Sequence, residues 1–274
     1  HRHARRRMRA MKLALLVLAL PLALYLALLA LLWWGQERLI FQGTPLPPNF
    51  RFDVGPDVHE RFIDVPGGRL SALHLQLPAP KGVVFFLHGN AGNLASWFVN
   101  ADYYRRANFD LFMIDYRGYG KSSGRVESQA QLEADVRAAW AAVAPRYTGR
   151  RIVIYGRSLG SGLAAGLAVE LQPDLTVLVS PYTSFGALAR EHYRWVPAAL
   201  LRYPLATDQL LPRVNSPVLL VHGGRDTLIP PSHSQRLAAL SPQARLLLVP
   251  EAGHNDLQDF KLYLDGLRAA LDGL

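Results

Sequence analysis

The sequence predicts an α/β domain with a mostly parallel, doubly wound sheet, carried behind an N-terminal membrane-spanning helix. Three observations point there. Residues 13–34, "LALLVLALPLALYLALLALLWW", form an uncharged apolar run. From residue 61 onward, short runs of Val, Ile, Leu and Phe alternate with stretches of helical periodicity, and strands alternating with helices imply a doubly wound sheet. Residues 155–162, "YGRSLGSG", set a serine among glycines where a strand turns directly into a helix.

The chain opens on a basic tail. Of its 30 Lys and Arg residues, six lie in residues 1–12, which leaves 24 against 21 Asp and Glu for the rest. The net charge of +9 is therefore a tail and not a face. A nucleic-acid-binding surface is excluded on that ground. There are no cysteines, so thiol catalysis, disulfides and Cys-type zinc sites are excluded too.

The apolar run 13–34 is long enough to cross a bilayer as a helix. Pro21 is tolerated inside such a span, and Trp33 and Trp34 stand where an interfacial aromatic belt belongs. A cleaved signal peptide is the competing reading; its apolar core is usually shorter and ends in a small-residue site, which this run lacks. Six basic residues precede the run and Arg38 alone follows it closely. That bias places the N-terminus in the cytoplasm and the remaining chain on the far side, periplasmic in a bacterium. Residues 35–60 read as a Pro-rich linker without helix.

Residues 61–274 form the expected domain. Strand runs are "RFIDV" and "LSALHLQL", joined as a hairpin, then "GVVFFLH", "DLFMID", "RIVIYG", "LTVLVS", "PVLLVHG" and "ARLLLVP". "SALHLQL" alternates as an edge strand with one wet face would; the later runs are nearly continuous, as in a sheet covered on both faces. The clearest helix is "QAQLEADVRAAWAAVAPRY". Residues 181–215 lie between two strands as a short helical cap or an ordinary helix pair over the core. Their aromatic and leucine residues, among them Tyr193, Trp195, Leu200, Leu201 and Tyr203, are mixed with Arg190, Arg194 and Arg202.

In such sheets chemistry sits beyond the carboxyl ends of the strands. Gly156-Arg157-Ser158-Leu159-Gly160 is a G-x-S-x-G turn at such an end, and a sharp turn of this kind lifts the serine Oγ clear of the sheet. A plain strand–helix turn with a capping serine is the competing reading. A serine needs a base, and the base needs an orienting acid, in the chain order Ser, Asp or Glu, His. Asp226, in "GGRDTLIP", and His254, in "EAGHND", each follow a strand and satisfy that order. Asp256 is the rival acid, close after His254 and suited to capping the last helix. His222 is expected to bond locally, and His192 and His233 to lie on the surface. The loop "HGNAGN", residues 88–93, is expected to help hold an oxyanion. Its donors would be the N–H of Leu159 and that of Asn90, with Ala91 as the alternative; His88 and Asp115 are read as scaffold.

"HGNAGN", "DYRGYGKSSG", "YGRSLGSG", "SPYTS", "HGGRDTLIP" and "GHNDL" occur in that order over about residues 60–270. Together they resemble the α/β-hydrolase fold, and within it the Bem46-like branch of membrane-associated serine hydrolases. The resemblance implies Ser158 as nucleophile, Asp226 as acid and His254 as base. Some relatives in this branch depend on a lipidated, Cys-rich N-terminus, a mode of attachment that a chain without cysteine does not share. No cofactor and no metal are expected, since the chain has no H-E-x-x-H. The expected substrate is an acyl ester, acyl thioester or lipid met at the membrane. A non-catalytic, membrane-tethered module for protein contacts is the alternative from another class, and an esterase of small soluble esters is a further one. No triad residue precedes residue 45, so a chain beginning there is expected to stay active on short esters.

Overall fold

The computed structural model describes residues 2–274; His1, the first residue of the expected basic tail, lies outside them. Helix α1, Arg2–Ile40, runs unbroken through Pro21. Its leucines and alanines are good helix formers. Side chains from Met8 to Leu24 are exposed all around it, so no protein layer covers this part of its apolar surface. At 1.5 Å per residue, the run 13–34 is about 33 Å long, enough for a hydrocarbon core of about 30 Å.

Eight strands form one sheet: β1 Val58–Val65, β2 Gly68–Leu75, β3 Gly82–Leu87, β4 Phe109–Ile114, β5 Arg151–Arg157, β6 Leu175–Val179, β7 Val218–Gly223 and β8 Ala244–Val249. Their spatial order is β8-β7-β6-β5-β3-β4-β2-β1. β1 and β2 form the antiparallel hairpin, β2 also runs antiparallel to β4, and all other pairs are parallel. This is the expected α/β-hydrolase architecture.

The central strands are apolar throughout because helices cover both faces. On β3, Val83, Phe85 and Leu87 pack with Leu132, Val136 and Trp140 of α4, Gln129–Val143, and Leu163 of α5, Leu159–Leu171. Val84 and Phe86 point the other way, toward Tyr104 of α3, Ala101–Ala107, and Tyr263 and Leu267 of α9, Lys261–Asp272. Each such side chain contributes about 1.5–3 kcal/mol by leaving water. Helix α4 starts where Ser128 accepts a bond from the Gln131 N–H at 3.0 Å.

Two expectations about elements are corrected. β2 is not a wet edge: Leu70 to Leu75 are all buried, and β1 is the edge strand. Of the polar residues in its pattern, the Ser71 backbone and the His74 ring are bonded from a distance, while the buried Ser71 hydroxyl has no partner among the described residues. The Ser71 N–H bonds Ser122 Oγ at 2.8 Å, and His74 Nε2 meets Tyr147 OH at 2.5 Å. The segment after the apolar run is not a free linker either. α1 continues to Ile40, and the chain then pairs Gln42 and Gly43 in parallel with Ala91 and Gly92.

The cap holds α6, Phe185–His192, a 3₁₀ turn at Ala198–Leu200, and the single turn α7, Thr207–Leu210; α2, Leu94–Trp97, follows β3, and α8, Ser232–Leu240, follows β7. The last turns of α1 dock on it. Gln36 Nε2 donates to Leu200 O at 3.0 Å, while its Oε1 accepts from the Arg202 N–H at 2.9 Å. Glu37 accepts from Arg202 Nη2 at 2.7 Å and from Tyr203 OH at 2.9 Å. Further up the helix, Tyr25 OH donates to Trp195 O at 2.8 Å.

Candidate active site

β5 ends at Arg157 and α5 begins at Leu159, so Ser158 alone makes the turn. Its backbone is at φ 52°, ψ −120°, a strained region that costs about 1–3 kcal/mol. The glycines flanking it are required by close approach. A Cβ on Gly160 would lie 2.0 Å from Leu87 O, and one on Gly156 would lie 2.4 Å from Gly160 O. Any larger residue would push α5 away from β3 and β5.

Ser158, His254 and Asp226 come together from three separate strand ends. His254 Nε2 is 3.1 Å from Ser158 Oγ, and His254 Nδ1 is 2.7 Å from Asp226 Oδ2. These partners assign the tautomer: Nδ1–H donates to the carboxylate and Nε2 accepts the serine proton. Asp226 Oδ1 accepts from the N–H groups of Leu228 and Ile229 at 3.0 and 2.8 Å. Burial opposes ionisation of Asp226. The neighbouring His222, His254 and the Ile229 N–H outweigh burial and hold its carboxyl well below the usual carboxylate range. His222 Nε2 donates to Ile229 O at 2.7 Å and lies 3.5 Å from Asp226, so one N–H both steadies the acid's loop and faces its carboxylate.

Beyond β3, the loop residues 88–93 lie against Ser158. A Cβ built on Gly89 would be 3.7 Å from the Ser158 Cβ. The loop is braced from several sides. His88 contacts Gly89 O at 2.7 Å and Asp115 at 2.9 Å, and Asp115 also accepts from the Leu94 N–H at 3.0 Å. Asn90 O accepts from the Gln42 N–H at 2.9 Å and from Tyr119 OH at 2.6 Å. Thr44 N–H donates to Gly92 O at 2.9 Å. The N–H groups of Leu159 and Asn90 donate to no acceptor among the described residues, so both are free to serve an incoming oxygen.

The remaining sequence candidates separate clearly. Asp256 does not cap α9; its Oδ1 accepts from the Gly253 N–H at 2.7 Å and closes the turn that presents His254. His192 is exposed, as expected. His233 is fully buried, not on the surface. Its ring accepts from the Thr183 N–H at 3.0 Å and meets Glu191 at 3.0 Å. Burial pushes His233 below the ordinary histidine value despite Glu191. Residues that the sequence left unremarked are Trp97, stacked on His88 at 5.5 Å, and Arg157, which donates to His254 O at 3.2 Å. A charged residue beside the serine in G-x-S-x-G was the available signal for the latter. Among the described residues, no cluster of His, Asp and Glu is arranged to hold a metal ion.

A family model described as serine aminopeptidase, S33, matches residues 78–206, and one described as alpha/beta hydrolase fold matches residues 180–260. An uncharacterized protein of Mycobacterium tuberculosis is 34% identical over 271 residues, covering 92% of this chain and 95% of that protein. The alpha/beta hydrolase domain-containing protein 17B of Xenopus laevis is 32% identical over 212 residues, covering 74% of this chain and 70% of that protein. Among solved structures, an esterase of Pyrococcus furiosus superposes with a TM-score of 0.67 at 18% identity, covering 85% of this chain and 97% of that one; at that identity the likeness is one of fold.

Proposed function

The chain belongs to the α/β-hydrolase superfamily, in its Bem46-like, α/β-hydrolase-domain branch, and from that premise we propose that it is a membrane-anchored serine hydrolase of acyl esters or thioesters. The observation that carries the reading is the line Ser158–His254–Asp226, with contacts of 3.1 and 2.7 Å, set at a strained elbow beside two free backbone N–H groups.

Each group has a role. Ser158 Oγ attacks the carbonyl carbon while His254 Nε2 takes its proton. Asp226 fixes the imidazole and stabilises the imidazolium that forms. The carbonyl oxygen takes up the displaced electron pair as an oxyanion, held by the N–H groups of Leu159 and Asn90. The tetrahedral species collapses, the C–O or C–S bond breaks, and the leaving alcohol or thiol takes the proton from His254. Water, deprotonated by His254, then releases the acid and restores Ser158. A scaffold used only for protein contacts has no physical need for this alignment.

The natural substrate is an amphiphile with a medium or long acyl chain, such as a lysophospholipid, a monoacylglycerol or an acyl thioester. α1 is the anchor, its basic N-terminus in the cytoplasm and the catalytic domain outside. The docking of the cap on α1 supports direct access to lipid. Trp195 is tied to Tyr25, which lies about 12 Å along the helix from Trp33 at 1.5 Å per residue. Exposed Tyr193 and Trp195 are thereby held beside the apolar surface of α1. An acyl chain entering from there avoids crossing water, at a saving of about 0.8 kcal/mol per CH₂.

The test is an ester chain-length series with the full-length protein in vesicles. Expected is kcat/KM rising beyond about eight carbons, insensitive to chelators and lost in Ser158→Ala. A maximum at about two to four carbons would show that the anchor sets location only. Failure to cleave any ester or thioester would overturn the hydrolase assignment itself.

A further inference from the structure

Resting on that hydrolase reading, we infer that the site accepts an acyl ester bearing an anionic group, phosphate or carboxylate, close to the scissile bond, and that Arg157 binds this group. A cavity of about 330 Å³ opens beside the elbow, lined by Arg157, Trp97, Asn100, Asn255, Gln258 and Phe86 among others. No carboxylate lines it, and Arg157 is its one charged wall residue.

The charge of Arg157 is uncompensated. Arg105, Arg117 and Arg202, also partly or fully buried, sit on carboxylates, Arg105 on Asp57 at 2.7 Å, Arg117 on Asp135 at 2.7 Å and Arg202 on Glu37, whereas Arg61, half-buried at the other end of the sheet, rests on the His74 ring. Arg157 is half-buried, yet no Asp or Glu lies within 4.0 Å of it among the described residues. Its contacts are the His254 carbonyl, through Nη2 at 3.2 Å, and the face of Trp97 at 5.6 Å from the ring centroid. A guanidinium has five donors in a fixed fork suited to phosphate and carboxylate oxygens. One bond to a carbonyl leaves most of that fork unused. The amides of Asn100, Asn255 and Gln258 supply further donors around the same space.

The cavity is placed to act on the reacting ester. A Cβ position on Gly89 is 3.7 Å from the Ser158 Cβ and 2.9 Å from the Trp97 ring, so nucleophile and cavity wall flank one glycine. Arg157 and Asn255 are the chain neighbours of Ser158 and His254. The cavity also lies on the face of the sheet away from the cap. Phe86 packs with the α3 and α9 cluster, whereas Tyr203 and Leu205 of the cap pack with the α4 and α5 cluster. One substrate can therefore lay its acyl chain toward the cap and its anionic group toward Arg157. Charge complementarity of this kind confers specificity by penalising a neutral analogue, which leaves the guanidinium without its partner.

The experiment compares three palmitoyl esters in neutral detergent micelles with full-length protein: lysophosphatidate, the ester of glycolate, and monopalmitoylglycerol. The readout is the ratio of kcat/KM for each anionic ester to that for the neutral one. The wild type is expected to favour at least one anionic ester by at least about tenfold, with the ratio falling as NaCl rises. Which ester is favoured identifies phosphate or carboxylate as the recognised group. In Arg157→Gln the ratio falls by at least about tenfold, and in Arg157→Lys by less. Equal loss on all three esters would overturn the inference, because Arg157 would then act only through the His254 loop. A wild-type ratio near one, read without any variant, would overturn it as well. A wild type that cleaves other esters but none of these three would overturn it too, and none of these results touches the hydrolase reading, which fails only if no ester or thioester is cleaved.

Discussion

At the carboxyl ends of the strands His254 stands between a hydroxyl, Ser158, and a carboxylate, Asp226. Toward their amino ends His74 stands in line with another hydroxyl, Tyr147, and another carboxylate, Asp110. His74 Nε2 is 2.5 Å from Tyr147 OH, which donates to Asp110 Oδ2 at 2.7 Å. The chemical groups are nearly the same, and the surroundings make them opposites. His74 is sealed at 0% exposure, and burial, reinforced by the positive charges of Arg61 and Arg146, pushes it down to about 3. It stays neutral and serves packing. The side chain of His254 keeps 13% exposure, faces a serine on a strained turn, and has free N–H donors beside it. Composition alone does not distinguish a cluster placed to relay protons from a structural one. Access and a place for the developing charge do.

The largest expected difference is in turnover. Ser158→Ala and His254→Ala each lower kcat on a p-nitrophenyl ester by at least about 10³ with the fold intact, and Asp226→Asn does comparable damage through the wrong tautomer. Tyr147→Phe, in the sealed cluster, leaves kcat within about twofold of wild type because no step of the chemistry reaches it. Steady-state kinetics on folded variants checks both halves.

A second, smaller effect separates the supported end of the sheet from the free part of α1. A chain beginning at Gly35 keeps Gln36, Glu37 and Gln42, and its kcat on a short ester matches the full-length protein. A chain beginning at Leu46 loses the Gln42 and Thr44 bonds to the loop 88–93. Its kcat is expected to fall about tenfold to a hundredfold, with KM little changed, since a misplaced donor acts on the transition state. Equal activity of the two chains would show that the loop holds its geometry unaided.

Next comes stability. Tyr147→Phe leaves His74 Nε2 and Asp110 without their buried partner and is expected to cost about 1–3 kcal/mol in denaturant titration. The smallest effect is its pH dependence. A histidine near 3 when folded, against 6.5 ordinarily, binds fewer protons than in the unfolded chain between those values. Stability is therefore complete above pH 6.5 and is lost as pH falls, at up to about 1.4 kcal/mol per unit for His74. Buried His233 adds to the same window. His74→Gln is expected to flatten the slope between about pH 5 and 6.5, and an unchanged slope would remove His74 as its source.

All eight strands were legible in the sequence, because a sheet covered on both faces writes itself as apolar runs. That Ser158, Asp226 and His254 would meet was legible because each follows such a run. What was hidden depends on distant partners. His74 mimics a wet face and is answered by Tyr147, and His233 is buried because Thr183 and Glu191 receive it. The pairing of residues 42–44 with the loop 88–93 uses backbone groups over two residues, too short for any periodicity. Gln36 and Glu37 break the apolar character of α1 at its end, and only the folded cap shows why.

The contrast between the two histidine clusters is tested most directly by reacting the full-length protein with a fluorophosphonate and mapping the adduct by mass spectrometry. Ser158, as the activated nucleophile, is expected to carry a single adduct, absent in Ser158→Ala, strongly slowed in His254→Ala and unaffected by Tyr147→Phe. An adduct on another residue, or labelling that persists in Ser158→Ala, would contradict the assignment of the nucleophile.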